Sequence, residues 1–263
     1  MQNSEAHSFW DHLEVLRWSL IRCLGVFFVA AVAVFCCRDF VFANIVMAPA
    51  HDDFCLYRLL CRMAVKLSAP SLCPSLGPLE IININLAAQL MVHISVSCFL
   101  ALLLAVPYIL FEAWLFVRPA LHADERPLLA KGTLSLLLLF YAGVALSYWI
   151  IFPLTLNFLG NYQVSPDVVN RLSLNSYISS LVGLCLAMGL VFEMPVAVGL
   201  LARLGILKAG LLVRGRKVAV VICMALAAII TPSTDIFTMM LVALPVYLLY
   251  ELSIAVARRA SRE

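Results

Sequence analysis

The sequence predicts an all-α integral membrane protein with six transmembrane helices and both termini cytoplasmic, and three observations predict it. Of the 263 residues, 64% are hydrophobic and only 13% are charged, roughly half the charged share of a soluble domain. With a mean hydropathy of +1.02, the chain lacks the polar side chains to cover a water-facing globule. Apolar runs long enough to cross a hydrocarbon core, at about 20 residues each, fall near 18–36, 86–113, 133–158, 175–202, 217–231 and 236–257, the fifth being short. None alternates in the manner of a barrel strand, so helices are the way to satisfy the backbone in lipid. Finally, with the N-terminus inside, only Arg38, Arg58, Arg62, Lys66 and Arg171 lie outside, and every other lysine and arginine lies inside, as the positive-inside rule requires. The net charge of +3 follows from those inside-positive loops facing anionic membrane lipid, with no nucleic acid needed. Residues 1–263 read as a single transmembrane domain.

At the amino terminus, Ser8-Phe9-Trp10-Asp11 reads as a helix start, with Ser8 as the cap and Asp11 favoured by the helix dipole. Phe9, Leu13, Leu16 and Leu20 recur at helical spacing, so the entry reads as an amphipathic helix at the cytoplasmic interface. Such a helix serves either as an anchor alone or as part of a binding site. Arg22 followed by an apolar run imitates a signal peptide, but the many later spans favour retained insertion.

The first external segment, about 37–85, carries Pro49, Pro70, Pro74 and Pro78, and its stretch from Cys55 to Leu67 has the pattern of a short helix on the outer face. Cys36, Cys37, Cys55, Cys61 and Cys73 fall in or beside it. In an oxidising compartment at least one disulfide is expected there. The absence of any C-x-x-C argues against a thiol oxidoreductase.

The densest polar stretch runs from Phe111 to Arg126, F-E-A-W-L-F-V-R-P-A-L-H-A-D-E-R. Trp114 and Phe116 suit a membrane interface, and Pro119 should bend the chain, leaving Glu125 and Arg126 on a short cytoplasmic loop. Within the spans, Glu193 in Val191-Phe192-Glu193-Met194-Pro195 is costly when charged, so it needs a water-filled concavity, a partner or a proton. His93 reads as a packing or hydrogen-bonding residue, while Glu112 and Glu251 read as solvated near the inner interface. Thr231-Pro232-Ser233-Thr234-Asp235 forms the last external turn, with Asp235 at a helix N-terminus.

Several of these stretches together resemble TatC, the multispanning receptor subunit of the twin-arginine protein translocase. The loop from Phe111 to Arg126 is similar to the family's first cytoplasmic loop, whose glutamate-arginine pair matches Glu125 and Arg126. His12-Leu13-Glu14-Val15-Leu16-Arg17 is similar to its H-L-x-E-L-R signature, with His12, Leu16 and Arg17 matching. The family's acid falls on Val15, so Glu14 stands in at a position about 100° away around the helix. Phe192-Glu193-x-Pro195 matches the fourth-span signature, Met47-Ala48-Pro49 the proline after the first span, and Thr231, Pro232, Asp235, Phe237, Pro245, Tyr250 and Glu251 the order around the sixth.

The resemblance implies a concave, cup-like fold in a bacterial cytoplasmic (inner) membrane. It implies binding of twin-arginine signal peptides of folded cargo, with Glu125, Arg17, Leu16, His12, Glu14, Phe116, Trp114, Arg126 and Pro119 as site residues. Guanidinium forks pair bidentately with carboxylates, which suits Glu125 to that role. It further implies an intramembrane concavity at Glu193, Phe192 and Pro195, and an external turn and partner surface involving Pro49, Thr231, Pro232, Asp235, Thr238 and Met239. Expected partners are TatA-like and TatB-like single-span subunits, membrane lipid and further copies of the chain, with transport driven by the proton motive force. No cofactor, metal or catalytic residue is expected. A small-molecule secondary transporter of the inner membrane is the alternative, though no internal halves with paired helix breaks are evident. An intramembrane enzyme is disfavoured by the lack of H-E-x-x-H and G-x-S-x-G motifs.

Overall fold

The apolar runs form helices in the computed structural model, which describes residues 3–66, 80–117, 126–163, 165, 170–203, 205–207, 209–231 and 235–260. Helix α1 (Asn3–Cys36) is continuous over 34 residues. It does not open at Ser8. The preceding Asn3-Ser4-Glu5-Ala6-His7 holds no proline or glycine and brings Glu5 to the positive end of the helix dipole, so the helix extends back through it. A short α2 (Arg38–Val41), a π-helical turn over Phe42–Val46 and a 3-10 turn over Ala48–Ala50 follow. The expected helix in the external segment is α3 (Cys55–Lys66).

Strand β1 (Glu80–Ile82) then leads to α4 (Ala88–Val117) and α5 (Arg126–Leu146). A π-helical turn over Ser147–Ile151 joins α5 to α6 (Phe152–Asn161). Pro153 has no N–H to continue the α-helical ladder, which is a reason for the wider turn just before it. Strand β2 (Arg171–Ser173) pairs in parallel with β1, with Glu80 opposite Arg171, and the two side chains form an ion pair at 3.3 Å. Sequence reading missed this short sheet because three residues are too few to show a period. The chain finishes with α7 (Leu174–Phe192), α8 (Met194–Arg203), α9 (Ala209–Arg214), α10 (Arg216–Ile230) and α11 (Ile236–Ala260). Ser173 caps α7, its hydroxyl accepting from the Ser176 N–H at 3.2 Å.

Among the described residues, five helical stretches are long and apolar enough to cross a membrane: Leu13–Cys36, Ala88–Phe116, Gly132–Asn161, Leu174–Arg203 and Ile236–Arg259. Helix α10 has 15 residues, and at about 1.5 Å per residue it is shorter than a hydrocarbon core of about 30 Å. The contacts group into two units, one of Met1–Asp39 with His93–Leu138, the other of Phe40–Val92 with Leu139–Glu263.

In the second unit, three tyrosines hold the irregular chain after α1. Pro49 cannot donate to the carbonyl of Ile45, and the Tyr148 hydroxyl does so instead at 2.6 Å. The Ala50 N–H turns to Met47, leaving the Val46 carbonyl to accept from Tyr177 at 2.7 Å. Tyr57 of α3 donates to the Pro153 carbonyl at 2.9 Å. Buried carbonyls without partners are costly, so these hydroxyls let the chain leave the helical path while staying buried; Val46 and Pro49 are both buried. Of the described cysteines, Cys61 is disulfide-bonded, as expected of this segment, whereas Cys36, Cys37 and Cys55 are free thiols.

Candidate functional site

The residues matching the amino-terminal signature and the first cytoplasmic loop all belong to the first unit. On α1, Glu14, Leu16 and Arg17 are exposed. The His12 side chain lies outside the described residues. Near the end of α4, Trp114 and Phe116 are half-buried, and the Trp114 ring stacks on Phe111 with centroids 6.1 Å apart. Pro119 and Glu125 lie outside the described residues. Arg126 is the first residue of α5, which fixes where the loop ends.

Beside these residues the structure reveals a polar cluster that sequence reading did not assemble. Glu112, expected to be solvated, is only 3% exposed. Its Oε1 accepts from Arg22 Nη1 of α1 at 3.1 Å and from the Tyr108 hydroxyl, one helical turn back on α4, at 2.8 Å. Ser19, also of α1, is buried beside them. The α1 partners stand about 90 positions from Glu112, so no local pattern reports the contact. The available signal was one basic and one acidic residue, each inside an apolar run. On the same two helices, His93 stacks on Phe35 at 3.9 Å and meets the Phe35 carbonyl at 3.1 Å, in keeping with its expected packing role.

This cluster fixes α1 against α4 beneath the exposed Leu16 and Arg17. Glu112→Ala removes the shared acceptor, and amide exchange around Ser19–Cys23 is expected to rise on the order of tenfold. Glu112→Gln keeps an acceptor for Tyr108 and should show a smaller rise. Exchange unchanged in both variants would show that the cluster does not hold the two helices.

In the second unit, Glu193 stands at the break between α7 and α8. Its N–H turns to the Leu190 carbonyl at 3.1 Å, and its own carbonyl accepts from Val196 and Ala197 at 3.1 and 3.0 Å. Pro195, two residues on and buried, removes one donor from the ladder and so favours the break. The carboxylate atom Oε2 is buried and has no hydrogen-bond partner among the described residues. A carboxylate so placed makes a strong acceptor for any donor that reaches it. Phe192 is half-buried and lies over Gly143 of α5: a Cβ on that glycine would stand 2.8 Å from the Phe192 ring and 2.5 Å from the Met188 carbonyl oxygen.

Around the last external turn, Asp235 caps α11 as expected, accepting from the Thr238 N–H at 2.8 Å. Thr231 is buried, and its hydroxyl donates to the Ala227 carbonyl at 3.0 Å. Thr238 is fully buried with its hydroxyl on Asp235, and Met239 is half-buried. Pro232 lies outside the described residues. At the other end of α11, Glu251 accepts from Arg216 at 2.7 Å and from Tyr247 at 3.0 Å, and Tyr250 donates to the Leu212 carbonyl at 2.6 Å. Among the described residues no group of three or more His, Cys, Asp or Glu side chains is arranged to hold a metal ion.

The fold defines a multi-pass α-helical membrane protein. The family model described as TatC, Sec-independent protein translocase protein, matches residues 11–245. The chain belongs to the TatC family and is a multi-pass protein of the bacterial inner membrane. It is 31% identical over 258 residues to the Sec-independent protein translocase protein TatC of Blattabacterium sp. subsp. Periplaneta americana, covering 97% of this chain and 96% of that one. The Escherichia coli K12 protein of the same name is 32% identical over 252 residues, covering 94% and 86%. A crystal structure of the twin-arginine translocase receptor TatC superposes with a TM-score of 0.69 at 30% identity, covering 95% of this chain and all of that one. These comparisons give the small-molecule transporter alternative no support.

Proposed function

We propose that this chain is the signal-peptide receptor subunit of a Sec-independent, twin-arginine translocase. The observation that carries this reading is the family match from residue 11 to 245, which takes in both the amino-terminal signature and the loop with Glu125 and Arg126. In this reading residues 1–263 form one cup-like domain of six spans, with α10 as the fifth, and with both termini in the cytoplasm. The distribution of lysine and arginine supports that orientation.

The peptide's arginine pair is held at the cytoplasmic face by Glu125, with Glu14 a weaker second acid. Leu16, Trp114 and Phe116 pack the apolar residue after the arginines, while His12, Arg17, Pro119 and Arg126 shape the loop and the helix beside it. Exposure of Leu16 and Arg17 supports this assignment. The hydrophobic part of the signal then enters a concavity at Phe192, Glu193 and Pro195, where the buried Oε2 awaits a donor. TatA-like and TatB-like single-span subunits meet the surface around Pro49, Thr231, Pro232, Asp235 and Met239. Thr238 supports that surface from beneath by fixing Asp235. The receptor assembles with further copies of itself, in contact with membrane lipid, and nucleates transport of folded cargo powered by the proton motive force. No step in this scheme is catalytic.

The test is binding of synthetic signal peptides to the purified protein in detergent. An Arg-Arg peptide is expected to bind at least about tenfold more tightly than its Lys-Lys counterpart, because an ammonium makes no bidentate pair with a carboxylate. Equal, weak binding of the two would remove the receptor function from this chain acting alone.

A further inference from the structure

Helix α3 presents a basic stripe that no fold or receptor role described above uses. Tyr57 and Ala64 form its buried side, at 2% and 1% exposure. Arg58, Arg62 and Lys66, spaced four apart, run along the opposite side, and all three are exposed. Between the stripe and the buried side lies an apolar flank, Leu59 and Met63, exposed at 52% and 50%.

The point at which α3 docks bears on what meets that flank. Tyr57 is bonded to the Pro153 carbonyl at 2.9 Å, and the Phe54 ring just before the helix meets Tyr148 edge-on at 5.9 Å. Both anchor points belong to the membrane-crossing stretch Gly132–Asn161. Pro153 stands about 12 Å along the axis from the end of that stretch, at about 1.5 Å per residue. Attachment to an apolar stretch long enough to cross the membrane brings α3 and its free flank to the lipid.

We infer that α3 is an interfacial anchor that binds anionic phospholipid, with Leu59 and Met63 inserted among the acyl chains and Arg58, Arg62 and Lys66 on lipid phosphates. The division of labour follows from side-chain form. The long arginine and lysine stems reach from an apolar flank to the phosphate layer, and a cationic stripe beside exposed leucine and methionine is the pattern of a helix lying in a membrane surface. Cys61, on the same helix, is disulfide-bonded. The stripe also accounts for most of the basic residues that depart from the positive-inside distribution.

The experiment uses the full-length protein in nanodiscs of phosphatidylcholine alone and of phosphatidylcholine with phosphatidylglycerol, with amide exchange of residues 58–66 as the readout and exchange in α11 as the control for folding. Phosphatidylglycerol is expected to slow exchange in α3. The Arg58→Gln/Arg62→Gln/Lys66→Gln variant should lose that difference, each neutralised residue lowering lipid preference about fivefold. Arg58→Lys/Arg62→Lys should retain it, and Leu59→Ser/Met63→Ser should speed exchange in both lipids. Equal exchange in the two lipids, or a triple variant that behaves as wild type, overturns the inference. Protection by soluble polyglutamate with none from phosphatidylglycerol also overturns it, and assigns the stripe to an acidic protein partner.

Discussion

Glu125→Ala is expected to weaken binding of an Arg-Arg signal peptide by about 10- to 100-fold, the range set by losing a charge-assisted pair. The residue directly precedes Arg126, the start of α5, and no apolar core surrounds it in sequence, so helix packing should survive the change. The same substitution should leave a Lys-Lys peptide nearly unaffected, because little bidentate pairing exists to lose. Glu14→Ala should cost less than Glu125→Ala, since Glu14 sits one position away from the family's acid. The measurement is peptide affinity in detergent, with circular dichroism and gel filtration to verify folding. Affinity unchanged by Glu125→Ala would remove the central contact of the proposed receptor, and a larger loss from Glu14→Ala would move that contact onto α1.

Gly143→Ala is expected to destabilise the second unit by about 1–3 kcal/mol, the usual cost of forcing atoms into a filled space. The new methyl carbon would stand 2.5 Å from the Met188 carbonyl oxygen, 2.8 Å from the Phe192 ring and 2.9 Å from the Met188 carbonyl carbon. Backbone cannot step aside as a flexible side chain can, so α5 and α7 must separate. The complementary glycine is Gly189, where a Cβ would meet the Phe140 ring at 2.9 Å. Close backbone approach at small residues is a general means of helix association in membranes, where burial of apolar surface supplies no drive. Gly183 of α7 is the control: nothing lies within 4 Å of its virtual Cβ, and alanine there should be neutral or stabilising by up to about 1 kcal/mol. Thermal unfolding in detergent separates the two, and equal midpoints for Gly143→Ala and Gly183→Ala would refute the close-contact account. Because Phe192 is displaced in the first variant, the neighbouring Glu193 shifts too, and insertion of the hydrophobic part of a signal should fall with stability.

Legibility in the sequence varied with the distance over which a feature is encoded. The helix at Cys55–Lys66 and the cap at Asp235 were readable, because each depends on residues within one or two turns of each other. The burial of Glu112 was not, and the expectation that it is solvated failed. A carboxylate four residues from the end of an apolar run has the same local sequence whether it faces water or an arginine on another helix. The start of α1 was misplaced for a related reason. Ser8 is a competent cap, but a cap competes with whatever precedes it, and the five residues before it hold no proline or glycine to stop the helix.

The sequence by itself determined that the chain is an α-helical membrane protein, where most of its spans lie, and which stretches mark it as a TatC family member. Hydropathy, charge distribution and short motifs are properties of contiguous residues and need no partner to be read. Only the tertiary structure decided which buried groups satisfy one another. Arg22 reaches Glu112 across 90 positions, and Tyr177 reaches the Val46 carbonyl across 131. The contact between Gly143 and the Met188 backbone is of the same kind. In an environment without water, an unpaired polar group or an unfilled gap between helices is costly. The partners that remove that cost are chosen by how the helices pack, and no local pattern records the choice.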